Sequence, residues 1–94
     1  MKHYILAKFL PQFAGKLPDF CRIEEIFSTV EQIPGIHSAQ VYTNCIDREN
    51  RYDIMIVLDM DKEALTAWDS SEQHKRWKEE FGPLLEKKAI FDHE

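Results

Sequence analysis

The chain has 94 residues, of which 44% are hydrophobic and 12% aromatic, and it carries a formal net charge of −5. A domain of this size buries only about 60–65% of the surface its unfolded chain exposes, so 1–94 reads as one domain with a thin core and apolar surface to spare for self-association. The negative field repels phosphate backbones and anionic headgroups, which argues against nucleic acid and membrane as partners.

The N-terminal stretch MKHYILAKFL alternates as a strand, with His3, Ile5, Ala7 and Phe9 on one side and Tyr4, Leu6, Lys8 and Leu10 on the other. Both sides carry apolar groups, so this strand is expected to be covered on both faces. Lys8 and Pro11 interrupt the run before a signal-peptide core or a spanning helix could form, and a soluble, cytoplasmic protein is expected. Asp19 then caps a helix whose apolar positions Phe20, Ile23, Ile26, Phe27 and Val30 follow a 3.6-residue period, and Pro34 and Gly35 stop it.

The segment GIHSAQVYTN reads as a second strand, and CIDREN as a polar connection without the Asn-Gly pair of a two-residue hairpin. In RYDIMIVLDM, Tyr52, Ile54, Ile56, Leu58 and Met60 form one apolar face, with Asp53, Met55, Val57 and Asp59 opposite. Asp61 is placed to cap a short helix carrying Ala64, Leu65 and Trp68. After a break at 69–71, Ser70 and Gln73 resemble a capping box that restarts the helix. Beyond it His74, Trp77 and Phe81 fall on one stripe, Gly82 and Pro83 loosen the end, and KKAIFDH closes the chain as a strand.

This order is β-α-β-β-α-β, which predicts an α+β, ferredoxin-like domain: a four-stranded antiparallel sheet with both helices on one face. A second copy of the sheet would cover the other face, giving a dimeric α/β barrel. Cys21 and Cys45 lie in different elements without CxxC spacing, as expected of reduced structural thiols. No His-x-His or His-x₃-His spacing, phosphate-binding glycine loop or serine-centred nucleophile motif is present, so neither a metal nor a cofactor is expected.

The chain resembles the stress-responsive dimeric α/β-barrel (Dabb) family over essentially its whole length. The resemblance rests on Lys2-His3 and Lys8-Phe9 of the first strand, IPGI at Ile33 to Ile36, RYDIMIVLDMDKEAL at Arg51 to Leu65, Gln73-His74 with Trp77, and the terminal IFDHE. It implies a homodimer. It also implies a likeness to plant polyketide cyclases, in which a histidine of the second-helix segment is the general base of a cofactor-free aldol condensation. That position is His74, and the first-strand histidine of the same pattern is His3. The supporting tyrosine is replaced by Trp68, the third-strand histidine by Ile54, and the His-Pro pair before the base by Ser71-Glu72. An indole donates a hydrogen bond but does not exchange protons as a phenol does. Haem-degrading monooxygenases of the same barrel carry a tryptophan near Trp68, but their histidine and asparagine positions hold Lys78 and Ala7 here, so that chemistry ranks below the cyclase comparison.

Two functional expectations follow. One is a dimer that binds a small hydrophobic or aromatic molecule between helices and sheet, in a pocket lined by Ile5, Ile54, Ile56, Trp68, Trp77 and Phe81 beside His3 and His74. The alternative is a cofactor-free lyase or cyclase with His74 as base and His3 as its orienting or electrophilic partner.

Overall fold

Hydrophobic alternation turns the first stretch into β1 (Lys2–Phe9), followed by α1 (Phe20–Phe27), β2 (Ile36–Thr43) and β3 (Ile54–Met60). Two short helices, α2 (Leu65–Asp69) and α3 (Glu72–Phe81), then lead into β4 (Leu85–His93). This computed structural model describes residues 1–94. The strands form one antiparallel sheet in the order β2-β3-β1-β4. The expected β-α-β-β-α-β order holds, with the second helix split at Ser70 and Ser71.

Register decides which side of each strand faces the helices. His3, Ile5 and Ala7 of β1 pair with Leu58, Ile56 and Ile54 of β3, and all six are buried on the helix side with Phe9 and Met60. A bulge at His37 brings Ala39 and Val41 of β2 opposite Leu58 and Ile56, on the same side. The other side shows Tyr4, Leu6, Met55, Val57, Tyr42 and Phe91, which no element of the chain covers; Tyr42 is 47% and Phe91 61% exposed. Tyr52 joins that side rather than the Ile54 face. It precedes the strand, and its ring lies 5.1 Å beneath the Lys87 ammonium.

The helix layer is held by aromatic packing and by one ionic clamp. Phe27 of α1 meets Trp68 and Trp77 at centroid distances of 5.8 and 5.6 Å. Arg22 donates Nε–H and Nη2–H to the two oxygens of Glu80 at 2.7 and 2.8 Å, tying α1 to α3 and holding the Glu80 carboxyl below its ordinary range.

Several local expectations change. The periodic run through Val30 does not continue as α-helix: α1 ends at Phe27 and Val30 begins a 3₁₀ turn. Ser71, not Ser70, caps α3, its Oγ accepting the His74 N–H at 3.1 Å, while Gln73 donates to Thr29 instead of closing a capping box. Asp61 makes no side-chain cap; its carboxylate accepts from His37 Nε2 at 2.9 Å. Cys21 and Cys45 are free and exposed, so neither is a core thiol.

Gly35 sits at φ +89°, and a Cβ there would lie 2.8 Å from the Ala64 Cβ. Backbone strain and overlap act together, so Gly35→Ala should destabilise the fold by about 1–3 kcal/mol. A urea midpoint equal to wild type would show that the 33–36 turn adapts freely.

Candidate functional site

The two expected histidines both lie on the helix side of the sheet. His3 is 4% exposed and is the one polar residue among the buried ones. Its Nδ1 hydrogen-bonds Asp92 Oδ1, directly across from it on β4. A carboxylate only accepts, so Nδ1 carries the proton and Nε2 is left as an acceptor. The ring makes no second side-chain hydrogen bond within the chain.

His74 stands in the first turn of α3 and is partly exposed. Its Nδ1–H donates to the Asp69 carbonyl at 3.0 Å, and its ring meets Trp68 edge-on with centroids 5.0 Å apart. Nε2 is again the free acceptor. Partial burial pushes the imidazole below its ordinary value of 6.5; the Asp69 carbonyl and carboxylate oppose this, and the charges of Lys78 and Lys88 add to it. At neutral pH the ring is therefore mostly neutral, with Nε2 unpaired within the chain.

The apolar residues expected around them are in place but closely packed. Ile5, Ile54, Ile56, Trp68, Trp77 and Phe81 belong to the hydrophobic core, and none is more than 3% exposed. Three cavities of about 290–340 Å³ lie elsewhere, and of these six residues only Ile54 borders one of them. Neither His3 nor His74 lines any of the three; His3 sits against the edge strand β4, at the rim of the core. There Lys88, Ile90 and Asp92 pair with Ala7, Ile5 and His3, and Ile90 is 49% exposed.

Asp92 is the residue that the sequence reading missed. Lys88, Ile90 and Asp92 alternate on one face of KAIFDH, a signal that was visible, but placing that face toward His3 requires the register of β4 against β1. A shift between Lys8 and Phe9 sets that register. No three His, Cys, Asp or Glu side chains converge as a metal site, and no helix is long and apolar enough to cross a membrane.

Neither a family model nor a curated protein matches this sequence. Solved structures do. A dimeric protein of unknown function from Bacteroides fragilis superposes with a TM-score of 0.75 at 16% identity, covering 99% of this chain and 93% of that one. The fold is ferredoxin-like. A Dabb-family protein from Mesorhizobium loti has the same ferredoxin-like fold at TM-score 0.62 and 12% identity, with 99% and 93% of the two chains covered. Hydroxynitrile lyase from Passiflora edulis follows at TM-score 0.73 and 15% identity, with 98% and 89% covered. At these identities the ferredoxin-like architecture is what is shared; activity belongs to the site of each chain.

Because folding lowers the proton affinity of His74, the unfolded chain binds more protons at mildly acid pH. The stability contribution is complete above the unfolded value near 6.5 and is lost as pH falls through it toward the lower folded value. In His74→Ala that loss should vanish, so the difference in unfolding free energy, wild type minus variant, should shrink between about pH 7.5 and 5.5. A difference independent of pH would mean that the ring titrates alike in both states.

Proposed function

We propose that this single-domain chain works in the cytoplasm as a homodimer and binds a small hydrophobic or aromatic molecule on the helix side of its sheet, beside His74. The carrying observation is the pair of imidazoles there, each fixed through Nδ1, by Asp92 or by the Asp69 carbonyl, and each presenting Nε2 as an acceptor. Half-exposed Ile90 gives this rim an apolar surface, with Trp68 buried against the His74 ring. With the core closely packed, the ligand occupies the rim and the core residues Ile5, Ile54, Ile56, Trp77 and Phe81 back it. The dimer reading is supported by the uncovered apolar side of the sheet and by the dimeric state of the Bacteroides fragilis neighbour.

A second reading is favoured by the lowered proton affinity of His74. A neutral imidazole held in one tautomer is suited to take a proton from an acidic C–H or O–H group, which is the role of the base in a cofactor-free lyase or cyclase. In that reading His3, oriented by Asp92, is the polar partner of the same substrate.

Melting temperatures at fixed protein concentration, taken against aromatic acids, β-keto thioester analogues and haem, test the binding site. A ligand that raises the wild-type midpoint should have no effect on His74→Ala. A ligand shift of equal size in the variant, with no turnover in wild type for His74→Ala to lose, would remove His74 from the site. Turnover lost in the variant while binding persists would select the enzyme reading, and binding lost with no turnover in either protein would select the binding module.

A further inference from the structure

The opposite side of the sheet carries a cavity of its own. At the β2–β3 end, a cavity of about 340 Å³ opens over a cross-strand row in which Met55 pairs with Tyr42 on one side and with Leu6 on the other. Tyr52, Asn50 and Arg51 complete the wall. This row gives the cavity a flat apolar floor. Apart from Ile54, which belongs to the core, its lining lies away from the helices, and neither His3 nor His74 borders it.

Arg51 is the anomaly of this cavity. Its side chain is partly buried, yet no carboxylate lies within ion-pair distance of it; its one side-chain hydrogen bond runs from Nη1 to the neighbouring Asn50 Oδ1 at 2.6 Å. That bond fixes the Asn50 amide with its NH₂ free to donate elsewhere. Other side chains here are already used: Asn44 donates to the Tyr52 carbonyl and accepts from the Ile46 N–H. Behind Arg51, a cavity of about 290 Å³ sets Lys16 and Arg48 against Asp47 and Asp53, and Asp53 also accepts the Phe9 N–H. In a chain of net charge −5, the lining of this second cavity, with Lys16, Arg48 and Arg51 against Asp47 and Asp53, has more cations than carboxylates.

We infer that this cavity binds a small monocarboxylic acid with a flat apolar body. The ring lies on Tyr42, Met55 and Leu6, and the carboxylate takes the fork of the Arg51 guanidinium, with the Asn50 amide as a further donor. Two parallel N–H···O bonds match a carboxylate in shape as well as charge. The volume suits a single ring with a short chain, at the low end of ligand pockets. A phosphate would bring a second charge that one arginine over an apolar floor does not meet. The lining of the site comes entirely from one chain.

The test is a titration of isotope-labelled full chain with 3-phenylpropionate, followed by NMR, alongside 3-phenylpropionamide as the uncharged match. The expected result is shift changes at Leu6, Tyr42 and Met55 on adding millimolar acid, with affinity falling about tenfold or more in Arg51→Gln. Arg51→Lys, which keeps the charge but not the fork, should lie between the two. The amide should bind wild type no better than the acid binds Arg51→Gln. Shift changes at Leu6, Tyr42 and Met55 with none at the His3 and His74 ring signals separate this site from the one beside His74. The inference is overturned if the three residues do not respond, if Arg51→Gln binds the acid as tightly as wild type with an unchanged spectrum, or if acid and amide bind equally well.

Discussion

Trp77→Ala should cost about 3–5 kcal/mol of folding free energy. The indole is 1% exposed, meets Phe27 edge-on at 5.6 Å and stacks on Phe81 at 5.5 Å. Phe27 also meets Trp68, so this one ring of α1 is the point at which all three helices pack. Removing Trp77 leaves a void that rigid neighbours on the sheet, Ile5, Ile54 and Ile56, fill poorly. Two aromatic contacts are lost as well, each worth about 0.5–1.5 kcal/mol beyond the area buried. A domain of this size has roughly 5–15 kcal/mol in hand, so the variant should be marginal, and Trp77→Phe should recover part of the loss. Urea unfolding at fixed protein concentration measures it. A loss under about 1 kcal/mol would show a helix–sheet space that relaxes easily, and an internal ligand pocket would then become the better reading than a site on the rim.

The sequence carries the architecture because its periods are clean. The alternation of β1 and of Ile54 to Met60, and Trp77 and Phe81 of the α3 stripe, each assign a buried face that the structure retains, while His74 at the head of that stripe stays partly exposed. Local errors occur where one side chain has a choice of partners. Asp61 is spaced as a cap but is taken by His37, and Gln73 is spaced for a capping box but reaches Thr29. Such choices depend on tertiary neighbours, which propensity does not contain. The same holds for the site. His3 and His74 are legible as residues on one side of the sheet, but Asp92 becomes the partner of His3 only through pairing 89 positions apart in the chain. Arg51 reads as an ordinary loop cation until the fold places it against an apolar floor with no carboxylate in reach.

Val57→Asp should convert a dimer into a folded monomer. Val57 lies at the middle of the uncovered side, between Tyr4 of β1 and Gln40 of β2. In one chain the new carboxylate would be partly solvated, so the fold should lose only about 1 kcal/mol through the weaker strand preference of aspartate. In a two-fold assembly that packs sheet against sheet, two such carboxylates would be buried close to the symmetry axis, with Leu6, Met55 and Tyr4 around each. Burying an ionised carboxylate without a partner costs several kcal/mol, and symmetry doubles it. That exceeds what exposed aromatics at the margin, such as Phe91, return. Lys2, the nearest cation at that end of the sheet, is already held by Asp59 at 2.9 Å and is not free to compensate. Sedimentation should therefore give twice the chain mass for wild type and the single mass for Val57→Asp, with the far-ultraviolet spectrum retained. The wild-type melting point should rise with protein concentration while that of the variant stays fixed, because only the dimer couples folding to association. A wild-type monomer would overturn the homodimer. A variant that stays dimeric would move the interface off this side of the sheet and leave its apolar surface free for the carboxylate site at Arg51.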